Sequence, residues 1–407
     1  MPYLTRQLES VARRAAREFP AVVLTGPRQS GKTTLFREAF GQSHDYVSLE
    51  PPDVRASAAQ DPRSFLSLHP PPVIFDEVQY VPELLPYIKE IIDSRRKEKA
   101  LYLLTGSQNL LLMERVTESL AGRAAMLKLL PLSRREETGK PGRPLVWERT
   151  GTRENVKSGS EPIPQLWANL VRGNYPELVT EPSRDVALWH SSYVQTYLER
   201  DVRGLRQIGD LSLFQGFLRT LAARSGQLLN LSDVARGIGL VVNTAKAWLA
   251  ILEATYQVMI VRPYFANLGK RLVKTPKVYF TDTGTLCYLL GLRDPIHAMS
   301  GPMAGPIFET AVLSEIMKTL LGRGEEPQLH FFRTSVGSEV DFIVESEGRL
   351  IPIEVKSSAT PRPEMASDVN AFRRDFPRKA EPGYVVHTGD ILLPLGSGVT
   401  AIPFTSL

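Results

Sequence analysis

Over residues 1–135, short apolar runs at 21–25, 73–75 and 101–105 alternate with stretches of helical period such as 32–40. Strands that read as continuous Val, Ile and Leu, with helices between them, predict a parallel sheet covered on both faces. The pattern stops at residue 136. Residues 136–164 are polar and rich in Gly, Pro and charge, the composition of a mobile linker or insertion. Helical period returns over 165–210, where Trp189, Tyr193, Tyr197 and Leu198 recur at the spacing of one core-facing side. Residues 211–280 predict a helix over 232–237, a tight Gly-containing turn, a second helix over 242–254 and a strand from 258. The last piece, 281–407, has a helix around Glu309, then two apolar strands that carry Asp341 and Glu354 and are joined at Glu347 and Gly348.

Composition narrows the class. A chain of 407 residues with 43% apolar content can build several cores. A single cysteine, Cys287, excludes an internal disulfide and a Cys-rich zinc site, and the six histidines do not cluster. The N-terminal segment 4–19 is amphipathic and basic, unlike the apolar core of a signal peptide, and no run reaches membrane-spanning length. The expectation is a soluble, cytoplasmic protein without a membrane partner. A net charge of +5 is compatible with a polyanionic partner but decides nothing alone.

The chemistry starts at residues 26–33, Gly-Pro-Arg-Gln-Ser-Gly-Lys-Thr, set between a strand and a helix as a P-loop requires. In such a loop Gly26 and Gly31 let the backbone close around phosphates, and Pro27, Arg28, Gln29, Ser30 and Thr34 surround the anion. Lys32 reaches the β and γ phosphates, and Thr33 ligates magnesium. ATP and Mg²⁺ are therefore the expected ligands. The run Val-Ile-Phe-Asp-Glu at 73–77 ends a buried strand on two acids, which places Asp76 in the magnesium shell and Glu77 where it polarises the attacking water. A third strand leads into Ser107, Gln108 and Asn109, where a γ-phosphate sensor sits, and Arg123 is an arginine-finger candidate. For Ser107, Gln108 and Arg123 the alternatives are a strand-end turn and a surface arginine.

Taken in order, the P-loop, VIFDEVQ, LLTGSQN, SLAGR, LLPLSRRE and GNYPEL at 173–178 resemble the bacterial and archaeal AAA+ ATPases that carry a C-terminal domain of unknown function. The resemblance covers nearly the whole chain. It implies an AAA+ core with Lys32 and Thr33 as nucleotide ligands, Asp76 and Glu77 as the magnesium and water pair, and Arg123 acting in trans, hence a homo-oligomer. It supplies no agreed substrate.

The middle region has winged-helix phrasing. Asn243, Thr244, Lys246 and Ala247 then lie at the exposed start of a recognition helix, and residues 267–277 form the wing, with Lys270, Arg271, Lys274 and Lys277 facing a phosphate backbone. Winged helices also serve as protein contacts, and that alternative stays open. In the last segment Glu354 and Lys356 share one strand face, and the turn at 347–348 brings Asp341 alongside them. Carboxylates from Glu309, Asp341 and Glu354 can hold Mg²⁺ or Mn²⁺, while Lys356 activates water and steadies phosphate charge. A helix Glu, a strand Asp and a Glu-x-Lys resemble the PD-(D/E)XK nuclease superfamily, particularly its archaeal Holliday-junction-resolvase branch, although no Pro precedes Asp341. The alternative is a nuclease-like fold whose charges form a structural ion-pair cluster.

The expected molecule is thus an α/β protein: an AAA+ core over 1–135, a linker over 136–164, a helical lid over 165–210, a winged helix over 211–280 and a nuclease-like domain over 281–407. Its expected function is ATP hydrolysis coupled to metal-dependent cleavage of nucleic acid, DNA in particular. The competing reading is an ATP-switched signalling or scaffold protein that recruits a partner without cutting.

Overall fold

The computed structural model describes residues 3–107, 118–149, 161–198, 211–264, 273–335 and 337–407. In chain order the first unit contains α1 (Leu8–Glu18), β1 (Ala21–Gly26), α2 (Lys32–Phe40), β2 (Asp45–Ser48), α3 (Pro52–Gln60), α4 (Pro62–Leu68), β3 (Val73–Asp76), α5 (Leu84–Ser94), β4 (Tyr102–Ser107) and β5 (Ala124–Lys128). The strands form one sheet in the order β2-β3-β4-β1-β5, and every pairing is parallel. Alternation of side chains explains the apolar runs. Val23, Phe75 and Leu104 point into one core, whereas Val22, Ile74 and Leu103 point into another on the opposite face.

The rest of the chain adds α6 (Arg134–Glu137), α7 (Ile163–Arg172), α8 (Pro176–Thr180), α9 (Val186–Tyr193), α10 (Leu211–Ala222), α11 (Leu231–Gly237), α12 (Val242–Ala254), β6 (Val258–Pro263) and β7 (Lys277–Phe280). There follow α13 (Thr283–Leu289), α14 (Pro295–Ser300), α15 (Ala304–Gly322), β8 (Leu329–Arg333), β9 (Glu339–Ser346), β10 (Arg349–Lys356), α16 (Ser367–Asp375), β11 (Gly383–His387), β12 (Leu393–Pro394) and β13 (Val399–Pro403). A second sheet runs β12-β13-β11-β10-β9-β8-β6-β7. Because β6 pairs in parallel with β8, the boundary expected at residue 280 falls inside one continuous sheet. A single core joins Trp167, Phe214 and Trp248 of the middle region to Phe308, Phe342 and Val386. The α11 and α12 axes meet at 111°, a helix-turn-helix angle, and Asn230 caps the first of them by accepting from the amides of Ser232 and Asp233.

The segment expected to be a mobile linker is in part a packed strap. Leu145 is fully buried, and Arg143 donates to the Thr405 and Ser406 carbonyls at 3.1 and 3.3 Å, with Arg149 reaching Ser406 at 3.1 Å. Arginines that look solvated by composition are bound here to backbone acceptors at the end of the chain. Residues 150–160 lie outside the described set. Among the described residues no single helix is long and apolar enough to cross a membrane.

Candidate active sites

The first site lies at the C-terminal edge of the parallel sheet, where β1 ends and α2 begins. Gly26 has φ 149° and packs so tightly that a Cβ there would meet the Leu129 carbonyl oxygen at 2.1 Å; Gly31, the N-cap of α2, has φ 93°. Both positions therefore require glycine. Between them, Pro27 and Ser30 are buried and Gln29 is exposed at φ 60°, while Arg28 reaches the Tyr80 hydroxyl at 3.4 Å. The Lys32 ammonium curls back over the loop, 3.1 Å from the Gly26 carbonyl and 2.9 Å from that of Pro27. Phosphate oxygens entering the loop meet a cation already centred on it. Thr34 is exposed in the first turn of α2.

Thr33 and Asp76 converge across the sheet edge. The Thr33 hydroxyl donates to Asp76 Oδ1 at 2.8 Å, the Tyr46 hydroxyl donates to Oδ2 at 2.8 Å, and Thr105 also donates to Oδ1. A hydroxyl and a fixed carboxylate at this separation are oxygen donors that would hold a Mg²⁺ ion. When bound, that ion neutralises charge on the transferred phosphoryl group. Glu77 follows in the left-handed region at φ 59°, a strained conformation for a side chain, and the Thr105 hydroxyl accepts from its amide at 3.3 Å. Gln79 Nε2 donates both to Glu77 Oε2 and to Ser107 Oγ, the latter at 2.9 Å. One amide thus fixes the expected water-polarising acid against the expected sensor. Gln79 and Tyr46 escaped the sequence reading, although Gln79 stands within the quoted VIFDEVQ; Gln108 and Asn109 lie outside the described residues.

A second cluster sits on the β9–β10 hairpin. Its two-residue turn has Glu347 at φ 51° and Gly348 at φ 75°, and the register sets Phe342 opposite Ile353. Asp341 and Glu354 are therefore neighbours, and the Val355 amide donates to Asp341 Oδ2 at 2.8 Å. Lys356 Nζ lies 2.5 Å from Glu354 Oε1, while Glu354 Oε2 is buried with no hydrogen-bond partner. Burial, then the charge of Asp341, pushes the Glu354 carboxyl well above the ordinary range; burial likewise raises Asp341.

Lys277 requires a correction, and it brings Glu309 with it into an ion-pair cluster. Lys277, expected on a wing facing phosphate, is 3% exposed and lies 3.2 Å from Glu309 Oε1, 2.8 Å from Glu339 Oε1 and 4.0 Å from Asp341 Oδ1. Glu309 also accepts from the Tyr279 hydroxyl at 2.5 Å, and burial, then Asp341, pushes its carboxyl up to about 7. Among the described residues no group of three or more carboxylate, histidine or cysteine side chains is arranged to hold a metal, and Glu309 is engaged by Lys277 and Tyr279. Asp341 and Glu354 alone, with the orphaned Glu354 oxygen, have oxygen donors that would suit a divalent ion.

Residues 18–138 match the model of an AAA domain, and 163–295 and 304–407 match two domains of unknown function, DUF8612 and DUF4143. Two relatives, named as uncharacterized proteins of Mycobacterium tuberculosis and Mycobacterium bovis, are each 32% identical over 393 residues, covering 96% of this chain and 81% of theirs. The chain belongs to their family of AAA-domain P-loop ATPases. A Walker-type ATPase of Pyrococcus abyssi overlays with a TM-score of 0.45 at 18% identity, covering 70% of this chain and 94% of that one.

Within this ATPase the structure places Arg123 away from the nucleotide loop. It immediately precedes β5, whose first residue pairs with the first residue of β1, so it stands at the N-terminal edge of the sheet. Six residues of β1 separate it from Gly26, on the order of 20 Å at ~3.3 Å per residue. There it makes a bidentate pair with Asp93, at 2.7 and 3.0 Å. It does not reach the nucleotide loop of its own chain. Of the expected nucleic-acid contacts, Asn243 and Lys246 are exposed and Thr244 half-buried on the first turns of α12, and Lys274 is exposed; Lys270 and Arg271 lie outside the described residues.

The arginine that the sequence reading missed is Arg6. It donates to the Ser30 carbonyl inside the P-loop and to that of Leu130, both at 2.7 Å, and pairs with Glu136 at 3.1 Å, with both side chains 5% exposed. Arg6→Ala strands a buried carboxylate, so we expect a loss of about 3–5 kcal/mol in stability, read from chemical denaturation. A loss below about 1 kcal/mol would show that water reaches Glu136 in the native state.

Proposed function

We propose that this ATPase couples ATP turnover to metal-dependent cleavage of nucleic acid, DNA in particular, in the cytoplasm. The observation that carries the reading is the convergence of Asp341, Glu354 and Lys356 on adjacent strands, with one buried carboxylate oxygen left unpartnered. A cation held there by Asp341 and Glu354, Mg²⁺ or Mn²⁺, would polarise the phosphodiester and lower the pKa of an attacking water, and Lys356 would steady the developing charge. The winged-helix reading draws support from the element order α10, α11, α12, β6, β7, with exposed Asn243 and Lys246 at the start of α12.

Coupling has a contiguous path. Arg6 links the P-loop carbonyl of Ser30 to Glu136 in α6. The next element is α15, whose Glu315 accepts from the Arg134 amide at 2.8 Å and pairs with Arg135 at 3.5 Å. The same helix carries Glu309 into the second cluster. Contact alone establishes no coupling energy, so the experiment must measure it.

Purified protein is incubated with single-stranded, duplex and branched DNA and with RNA, in Mg²⁺ or Mn²⁺, with and without ATP. Fragments released by the wild type, with ATP dependence lost in Lys32→Ala, are the expected result, together with binding that falls steeply with salt. The neutralisation of Glu309, Glu339 and Asp341 by Lys277 favours a second reading, a nuclease-derived domain that recruits a partner without cutting. Absence of cleavage on every substrate would select it.

A further inference from the structure

Lys277 opens β7, where it pairs with Val261 of β6 and bridges to Leu228. Its backbone therefore belongs to the helix-turn-helix segment, yet its ammonium ends among carboxylates supplied by α15 and β9. Burial acts to lower its pKa, but the charges of Glu309, Asp341 and Glu339 more than reverse this and hold it above the ordinary lysine value. A buried ammonium persists only where anions replace the water it has lost. The number of those anions is the informative feature. Oxygens of Glu309 and Glu339 lie at 3.2 and 2.8 Å, with Asp341 at 4.0 Å, and beyond Asp341 stands Glu354 with its buried, unpartnered oxygen. Lys356 and Arg333 contribute only at the margins, Lys356 on Glu354 and Arg333 on Glu339 at 3.1 Å.

Three carboxylates around one ammonium, with Asp341 lying between it and Glu354, form the arrangement of a carboxylate shared by two neighbouring cation positions. We propose that the Lys277 ammonium stands in the second of two cation positions, so that the cluster takes a single divalent ion, at Asp341 and Glu354. This rests on the cleavage reading of the same carboxylates. An ammonium is a point charge with three donors and cannot ligate water, so it supplies the charge of the missing ion and not its hydroxide. The attacking water is consequently confined to the side of Asp341, Glu354 and Lys356.

The test counts Mn²⁺ bound to the full, nucleotide-free chain, by the electron paramagnetic resonance of the free ion. Lys277→Met should bind one more ion per chain than the wild type, Lys277→Arg the same number as the wild type, and Lys277→Met/Glu309→Gln should lose the extra ion. Equal counts in the wild type and Lys277→Met overturn the proposal. Because the methionine variant leaves carboxylates uncompensated, its melting temperature is measured in Mn²⁺ and in chelator. A rise in Mn²⁺ larger than that of the wild type supports the proposal, and a chain that stays unfolded in millimolar Mn²⁺ overturns it. Failure of the cleavage reading looks different: the wild type cuts nothing while Lys277→Met still gains its ion.

Discussion

Glu77→Gln should leave ATP binding intact and lower kcat for hydrolysis by about 100- to 10,000-fold, the range typical of a removed general base. The geometry makes the substitution clean. Gln79 Nε2 and the Thr105 hydroxyl hold residue 77 in place, and a glutamine there keeps the volume and one accepting oxygen while losing the charge and basicity of the carboxylate. Lys32→Ala acts on a different step. It removes the cation centred between the Gly26 and Pro27 carbonyls, so nucleotide affinity and turnover should both collapse. Steady-state phosphate release with a nucleotide-binding titration separates the two, and wild-type turnover by Glu77→Gln would assign the base elsewhere.

What the sequence made legible is local in the chain. The P-loop and the acids at 76 and 77 each sit within one strand and the turn after it, so spacing alone implied their chemistry, and α12 was readable to the residue because a Gly-containing turn and an apolar period agree there. The residues whose surroundings it left open depend on what approaches from afar. Lys277 resembled a wing lysine because it stands in a basic run, and its direction was fixed only once β7 paired with β6 and α15 closed over it. Arg123 found Asp93 thirty residues away, and Arg6 reaches Leu130 across 124 positions. Composition misjudged residues 136–149 for the same reason: arginines count as solvated until a backbone with spare carbonyls is placed beside them.

Under the proposed cleavage reading, Asp341→Asn should lower cleavage in Mg²⁺ to below about 1% of the wild-type rate. Losing one of two carboxylate ligands removes several kcal/mol of charge stabilisation, and each ~1.4 kcal/mol is tenfold in rate. Asparagine is preferable to alanine because its side-chain oxygen still accepts from the Val355 amide, whereas alanine leaves a buried donor unmet at about 1–3 kcal/mol and confuses chemistry with folding. Neutralising Asp341 also withdraws one of the charges that raise Glu354 and Glu309, so both carboxyls ionise more easily in the variant. Any cleavage that survives should therefore shift its pH dependence to lower pH, a displacement that simple loss of folded protein does not produce. Full activity in Asp341→Asn would mean that the phosphodiester is held elsewhere, and would leave the buried carboxylates of the hairpin with a structural role alone.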